Sequence, residues 1–152
     1  MPKMRKTWRE KLEIQREPKV VDDPQGRGSM LIPRPVDVDA LMRRIQQGRL
    51  VTVGQVRERL AKDFNADLTC PLTTGIFIHI AAEVAEEDLS RGAKDITPYW
   101  RVIKTDGSLN EKLPGGVEAQ AARLREEGHS IEPGKGKKAS RVREFEKSLQ
   151  QL

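Results

Sequence analysis

The sequence predicts an α+β fold, in which three helices, in a pattern that a helix-turn-helix shares with many helical cores, are followed by a strand and a hairpin or wing-like loop and preceded by an extended N-terminal arm. Between residues 37 and 87 apolar side chains recur at helical spacing behind recognisable start signals. From Tyr99 to Ile103 the chain turns aromatic and β-branched, and Thr105-Asp106-Gly107-Ser108 follows as a turn. From Pro18 to Pro35 four prolines, with Gly26 and Gly28, prevent any long regular element.

Taken in order, residues 1–17 set Lys3, Arg5, Lys6, Arg9 and Lys11 around Trp8 and Leu12 at i, i+4 spacing. A short docking helix and a frayed basic arm both satisfy that pattern. The Pro/Gly stretch then reads as a lead-in wrapped on the domain. Asp37 is placed to cap a first helix in which Val38, Leu41, Met42 and Ile45 recur, with Gly48 as its stop. Thr52 and Gln55 form a capping box for a second helix from about Val53 to Asp63, with Val56, Leu60 and Phe64 on one face. Pro71 suits the first position of a third helix running to about Glu87. Its expected buried stripe is Leu72, Ile76, Phe77, Ile80 and Val84, leaving Thr74, Gly75, Ile78, His79 and Ala82 opposite. After the strand and wing-like loop, Gly115 and Gly116 precede a helix with Val117, Ala121 and Leu124 inward, ended by Gly128. Ser140 then caps a last docking helix carrying Val142, Phe145 and Leu149. The organisation expected is an arm over 1–36, a compact domain over 37–133, and a basic loop with a C-terminal helix over 134–152.

Composition narrows the function. The 152 residues suit one domain, and 28 basic against 23 acidic residues, a net charge of +5, favour an anionic partner such as nucleic acid. One cysteine, Cys70, excludes an internal disulfide, and two histidines leave no zinc set, so no metal and no cofactor is expected. No apolar run is long enough to span a bilayer, and the first residues lack the apolar centre of a secretory signal. A soluble, cytoplasmic protein without a membrane partner is expected.

The stretch Pro98-Tyr99-Trp100-Arg101-Val102-Ile103, then Asp106-Gly107-Ser108-Leu109, Gly115-Gly116-Val117-Glu118 and Glu126-Glu127-Gly128-His129, resembles the C-terminal domain of the alkylguanine-DNA alkyltransferases. It also resembles the alkyltransferase-like proteins, which lack the acceptor cysteine. Upstream, Gly48-Arg49-Leu50-Val51-Thr52-Val53-Gly54-Gln55-Val56 is similar to the family's first helix-turn-helix segment, and Thr73-Thr74-Gly75 falls where the recognition helix opens. The resemblance covers roughly Val38 to His129 and implies a winged-helix-like DNA-binding domain of the alkyltransferase C-terminal type.

It also implies what this chain has lost. Tyr99 and Trp100 stand where the family has a reactive Cys-His pair. A phenol with an ordinary pKa near 10 and no imidazole beside it is a poor replacement nucleophile. Leu72 occupies the position of the arginine inserted into the base stack, Val53 that of the tyrosine that pushes the phosphate, and Leu113-Pro114 that of the guanine-contacting pair. An apolar residue can wedge a base step, although the helical wheel assigns Leu72 to the core. Glu127 matches the family's network glutamate but, without its partners, reads as helix-end packing or a surface charge. The 22 residues between Gly75 and Pro98 exceed the family's interval and include an acidic run, Glu83 to Asp95.

The expected function is therefore a non-enzymatic DNA-binding protein, a sensor of alkylated bases in DNA repair, with a repair protein as a further partner. Its DNA-binding residues would be Thr52, Thr73, Thr74, Gly75 and His79 on the helix-turn-helix, with Arg101, Lys104 and Lys112 flanking the turn. Lys135, Lys137 and Lys138 belong to a basic tail that either tracks phosphates or is a solvated loop. His79 reads equally as a groove contact or a surface histidine, and Arg101 either holds a backbone or pairs with a carboxylate inside the domain. Tyr99, Trp100 and Glu127 would line what remains of a base pocket. The alternative is a protein-interaction module using the acidic run and the Pro-rich arm. An enzyme acting through Cys70, at a helix start that can lower a thiol pKa, is the third expectation.

Overall fold

A computed structural model of the chain describes residues 6–152. Of the two readings of the N-terminal stretch, the docking helix forms: α1 (Trp8–Leu12) is closed by a capping box in which the Thr7 hydroxyl accepts from the Glu10 amide at 3.1 Å. Leu12 is buried, and α1 packs on a later helix. Lys3 and Arg5 lie outside the described residues.

The Pro/Gly-rich stretch is a hairpin rather than an unpaired lead-in. Strands β1 (Lys19–Asp22) and β2 (Ser29–Ile32) pair antiparallel, and β2 pairs parallel with β4 (Leu68–Thr69), giving a sheet of order β1-β2-β4. The prolines and glycines sit outside the strands. The connection is tied by Asp23, whose carboxylate accepts from the Arg27 guanidinium at 2.6 Å and amide at 3.0 Å. That guanidinium holds the Asp23 carboxyl down to about 2, against the opposing effect of burial.

Helix α2 (Pro35–Met42) starts earlier than Asp37 as its cap would require. Arg34 is the cap, and Asp37, three residues on, accepts its amide at 3.0 Å and its guanidinium at 2.8 Å. Proline at the first helical position explains the shift, since it needs no donor there. Helix α3 (Val53–Asp63) has the bounds its capping box predicts, with the Thr52 hydroxyl accepting from the Gln55 amide and the Gln55 side chain from the Thr52 amide. Just before it, β3 (Val51–Thr52) pairs parallel with β5 (Val102–Ile103).

Helix α4 (Pro71–Ser90) departs from the predicted wheel. Its buried face carries Thr74, Phe77, Ile78, Ala81, Ala82 and Ala85, while Leu72 and Ile76 face outward. Both α1 and α2 pack against α4, and three alanines let their backbones come close. The face with the largest aliphatics is thus only partly the core face: Ile80 and Val84 are buried, Leu72 and Ile76 are not.

The expected strand over Tyr99 to Ile103 is half a 3₁₀ turn (Tyr99–Arg101) and half β5, because the Arg101 amide folds back to the Pro98 carbonyl at 3.1 Å. Helix α5 (Gly116–Glu126) follows, with Ala121 and Leu124 buried as predicted and Gln120 buried beside them. The C-terminal segment is not an α-helix. Strands β6 (Ile131–Glu132) and β7 (Arg141–Val142) pair, a 3₁₀ turn (Phe145–Ser148) comes next, and Leu149 bridges to Leu50. Its apolar spacing mimics a helix, but the Val142 amide is spent on the Gly107 carbonyl at 3.0 Å and Glu144 adopts a left-handed conformation, which together break any helical ladder. Phe145 packs against Gly107, whose φ of +88° and absent Cβ make room for the ring.

One core cluster joins these parts, running from Leu12 and Leu31 through Val56, Phe77 and Leu124 to Val142 and Phe145. Among the described residues, no helix is long and apolar enough to cross a membrane.

Candidate nucleic-acid interface

The outward turn of α4 creates the main surface feature. Leu72 is 71% and Ile76 47% exposed, one turn apart on the same face. They line a hollow of about 830 Å³ together with Val53, at the start of α3, and Pro71. Facing them is the loop after β5, which contributes Lys104, Thr105, Asn110, Glu111 and Lys112. His79 also lines the hollow and ties α4 to that loop, its Nδ1 donating to the Lys112 carbonyl at 3.0 Å. Lys104 pairs with Glu111 at 3.1 Å, an exposed ion pair of the kind worth at most about 1 kcal/mol and readily exchanged for another anion. The surface thus combines exposed aliphatic carbon with cations on a rim.

The predicted contact residues divide. His79, Gly75, Lys104 and Lys112 are brought together at this groove. Gly75 is exposed, and nothing lies within 4 Å of where a Cβ would stand, so the α4 backbone is open there. Thr73 is half-buried in the same first turn. Thr74 is fully buried and its hydroxyl donates to the Cys70 carbonyl at 2.7 Å, while Thr52 is buried as the cap of α3. Lys135, Lys137 and Lys138 are exposed between β6 and β7, in a loop anchored beside the turn at Gly107 through the Leu109 amide and the Ser140 carbonyl at 2.9 Å. Cys70 is a half-buried residue at the cap of α4; burial works against its thiolate, but hydrogen bonding from Thr73 and the Leu72 amide prevails and leaves its pKa lowered.

Arg101, Tyr99, Trp100 and Glu127 are assembled elsewhere, in a polar network that does not border the groove. Arg101 takes the second of its two expected roles, donating to Glu127 from Nη2 at 2.9 Å and to the Ile45 carbonyl at 2.7 Å. Trp100 Nε1 donates to the same carboxylate at 2.8 Å, and the Gly48 amide at 3.2 Å. Burial alone would raise the Glu127 carboxyl, yet these donors outweigh it and hold it below the usual carboxylate range. Glu127 therefore pins the end of α5 to the turn after α2 and to the 3₁₀ turn. On the other side Tyr99, only 2% exposed, donates its hydroxyl to Glu86, which also accepts from Arg123 at 2.7 Å. Arg123 stacks 4.3 Å over the Trp100 ring. Burial, and then the bond to Glu86, push the Tyr99 phenol well above its ordinary value.

Most of the acidic run, Glu83 to Asp88, is the second half of α4, and two of its carboxylates are neutralised internally. Glu86 meets Arg123, and both Asp88 oxygens accept from Nη2 of Arg9 in α1 at 2.6 and 2.7 Å. Sequence reasoning missed Ile76, Thr105, Asn110 and Glu111 as groove residues. Ile76 carried a signal: with Leu72 it makes an i, i+4 aliphatic pair on the side of α4 away from the alanines.

No family model matches the sequence, and no curated protein is significantly similar to it. Among solved structures, the crystal structure of S. pombe Atl1 in complex with damaged DNA containing O6-carboxymethylguanine superposes with a TM-score of 0.50 and 17% sequence identity. The match covers 78% of this chain and 94% of that one. The fold is similar to that of Atl1. A second structure, S. pombe ATL in complex with DNA, gives a TM-score of 0.48 at 16% identity over the same shares of the two chains.

Proposed function

We propose that the chain is a non-enzymatic DNA-binding protein of the alkyltransferase-like type, a sensor of alkylated bases built on a winged-helix-like domain. The observation that carries this reading is the convergence of Val53 and Leu72 on one groove with a cationic rim. These are the two positions to which the resemblance assigns the family's base-flipping residues, and they stand at the starts of two different helices, α3 and α4. The likeness of fold to Atl1, whose crystal structure contains DNA with O6-carboxymethylguanine, supports it.

On this reading Leu72 is the element that enters the duplex, and Gly75 and Thr73 bring the α4 backbone close to the nucleic acid. Lys104 and Lys112 hold phosphates beside the groove, and Lys135, Lys137 and Lys138 follow the backbone beyond it. His79 fixes the width of the groove. Thr52 and Thr74 act from behind, keeping the starts of α3 and α4 in place. Transfer chemistry is absent on this reading: the Tyr99 phenol is buried, bonded to Glu86 and harder to ionise than an ordinary tyrosine.

Fluorescence anisotropy with plain and O6-alkylguanine duplexes over a salt series tests the proposal. Binding is expected at low salt, weakening steeply as salt rises, with a preference for the alkylated duplex, and intact-protein mass is expected to stay unchanged after incubation. Failure to bind either duplex at low salt removes the reading, and an alkyl mass gained by the chain removes its non-enzymatic part. The interaction-module alternative keeps one observation in its favour, the edge strand β1 with Val20 51% and Val21 38% exposed.

A further inference from the structure

Helix α1 lies outside the stretch that resembles the alkyltransferases, yet it is fastened to α4 beside the groove by three different contacts. Leu12 is buried in the core, Arg9 clasps Asp88, and the Trp8 ring meets the His79 imidazole edge-on with centroids 5.3 Å apart. His79 itself lines the groove and bonds the Lys112 carbonyl. Trp8 therefore joins α1 to the groove through His79. Above it, the Lys11 ammonium sits 4.4 Å from the Trp8 ring centroid. Among the described residues no carboxylate pairs with Lys11 or Lys6, whereas Glu10 and Glu13 are occupied by the Thr7 amide and by Arg9. Glu83, 3.8 Å from His79 Nε2, is the acidic group bordering this end.

We infer that α1 forms a second cationic edge of the interface, with Lys11 and Lys6 contacting DNA phosphates at the His79 end of the groove. Cations then flank the exposed Leu72 and Ile76 from two separate elements. An exposed aliphatic strip with cations beside it on two elements complements a polyanion carrying apolar bases. Trp8 is a positioning residue: its contact with His79 sets where Lys11 stands. The inference rests on the DNA-binding reading above.

The test uses the full chain and the same two duplexes, measuring the slope of log affinity against log salt for wild type, Lys11→Gln, the double variant Lys6→Gln/Lys11→Gln, Lys11→Arg and, as a control on a distant exposed lysine, Lys62→Gln. Each phosphate contact contributes about 0.9 to the slope, so the double variant should be shallower by about 1.8 and Lys11→Gln by about half that. Between 50 and 200 mM salt the wild type should lose about threefold more affinity per contact than the variant lacking it. Lys11→Arg and Lys62→Gln should keep the wild-type slope. A wild type that binds with a steep slope left unchanged by the double variant overturns the role of α1 while sparing the DNA-binding reading. A wild type that binds neither duplex overturns both.

Discussion

Removing the Glu127 side chain as Glu127→Ala should be the most damaging single change in the polar network. Its carboxylate is 8% exposed and serves three donors on two parts of the chain: the Arg101 guanidinium, 14% exposed, and the Trp100 indole of the 3₁₀ turn, and the Gly48 amide. Deleting it leaves a mostly buried guanidinium with only the Ile45 carbonyl for a partner, and the indole N–H with none. Breaking a buried pair from one side costs about 3–5 kcal/mol, because the remaining charge is stranded away from water. For a chain of this size each kcal/mol lowers Tm by about 2–4 °C, so a fall of roughly 6–20 °C is expected. Urea titration followed by far-ultraviolet circular dichroism gives the free energy directly. The double change Arg101→Met/Glu127→Met, which replaces both charges with apolar chains, should recover more than half of the loss. A loss below about 1 kcal/mol for Glu127→Ala would refute the claim that this carboxylate holds α5 to the rest of the fold.

Leu72→Ala should leave stability within about 0.5 kcal/mol, since the side chain is 71% exposed, yet weaken binding to the alkylated duplex about tenfold. That figure follows from the 1–2 kcal/mol that burying most of an exposed leucine is worth, and an unchanged affinity by anisotropy would contradict it. Gly75→Ala meets nothing within 4 Å and should stabilise α4 by about 1 kcal/mol in a urea melt, while weakening DNA binding by imposing a methyl on the approach to the helix backbone. His129 has a buried, unpartnered Nε2, and its burial depresses the imidazole pKa below 6.5, with Glu127 opposing more weakly. As pH falls below about 6.5 the unfolded chain takes up this proton before the folded one does, so stability should decline by at most about 1.4 kcal/mol per pH unit. His129→Gln should flatten that part of the pH profile, and an unchanged profile would show that His129 is not its source.

Much of the fold was legible where the signal is local. The bounds of α3 follow from Thr52 and Gln55 alone, and the inward positions of α5 from the spacing of Ala121 and Leu124, because a cap or a period needs no knowledge of distant partners. The buried face of α4 was not legible, since α1 and α2 decide it: what matters is which side can accept two close helices, and alanine wins over leucine there. The C-terminal segment failed for a related reason. Val142, Phe145 and Leu149 have helical spacing, but Val142 pairs with β6, and Leu149 bridges to Leu50, about 100 residues earlier. In the site, the resemblance located Leu72 and Val53, but only the turn of α4 in space shows Leu72 exposed. The fates of Glu86 and Asp88 depend on Arg123 and Arg9, distant in sequence, so these two carboxylates looked free when they are paired.

The groove and the polar network share no residue, and that separation sharpens both readings. At the positions where the resemblance places a reactive pair, Tyr99 and Trp100 are bound into contacts with Glu86, Arg123 and Glu127 that link α4, α5 and the turn after α2. Those contacts stabilise the frame on which the groove is built but offer no reacting atom to it. Perturbing the network should therefore change how much protein is folded without changing the affinity of each folded molecule. Perturbing Leu72 or Lys11 should do the reverse. A protein whose stability and recognition separate in this way can bind a base at the groove without chemistry at Tyr99. If Glu127→Ala lowered the affinity of fully folded protein at low temperature as much as Leu72→Ala does, the network would have to reach the groove by a route other than shared contacts, and the separation would fail.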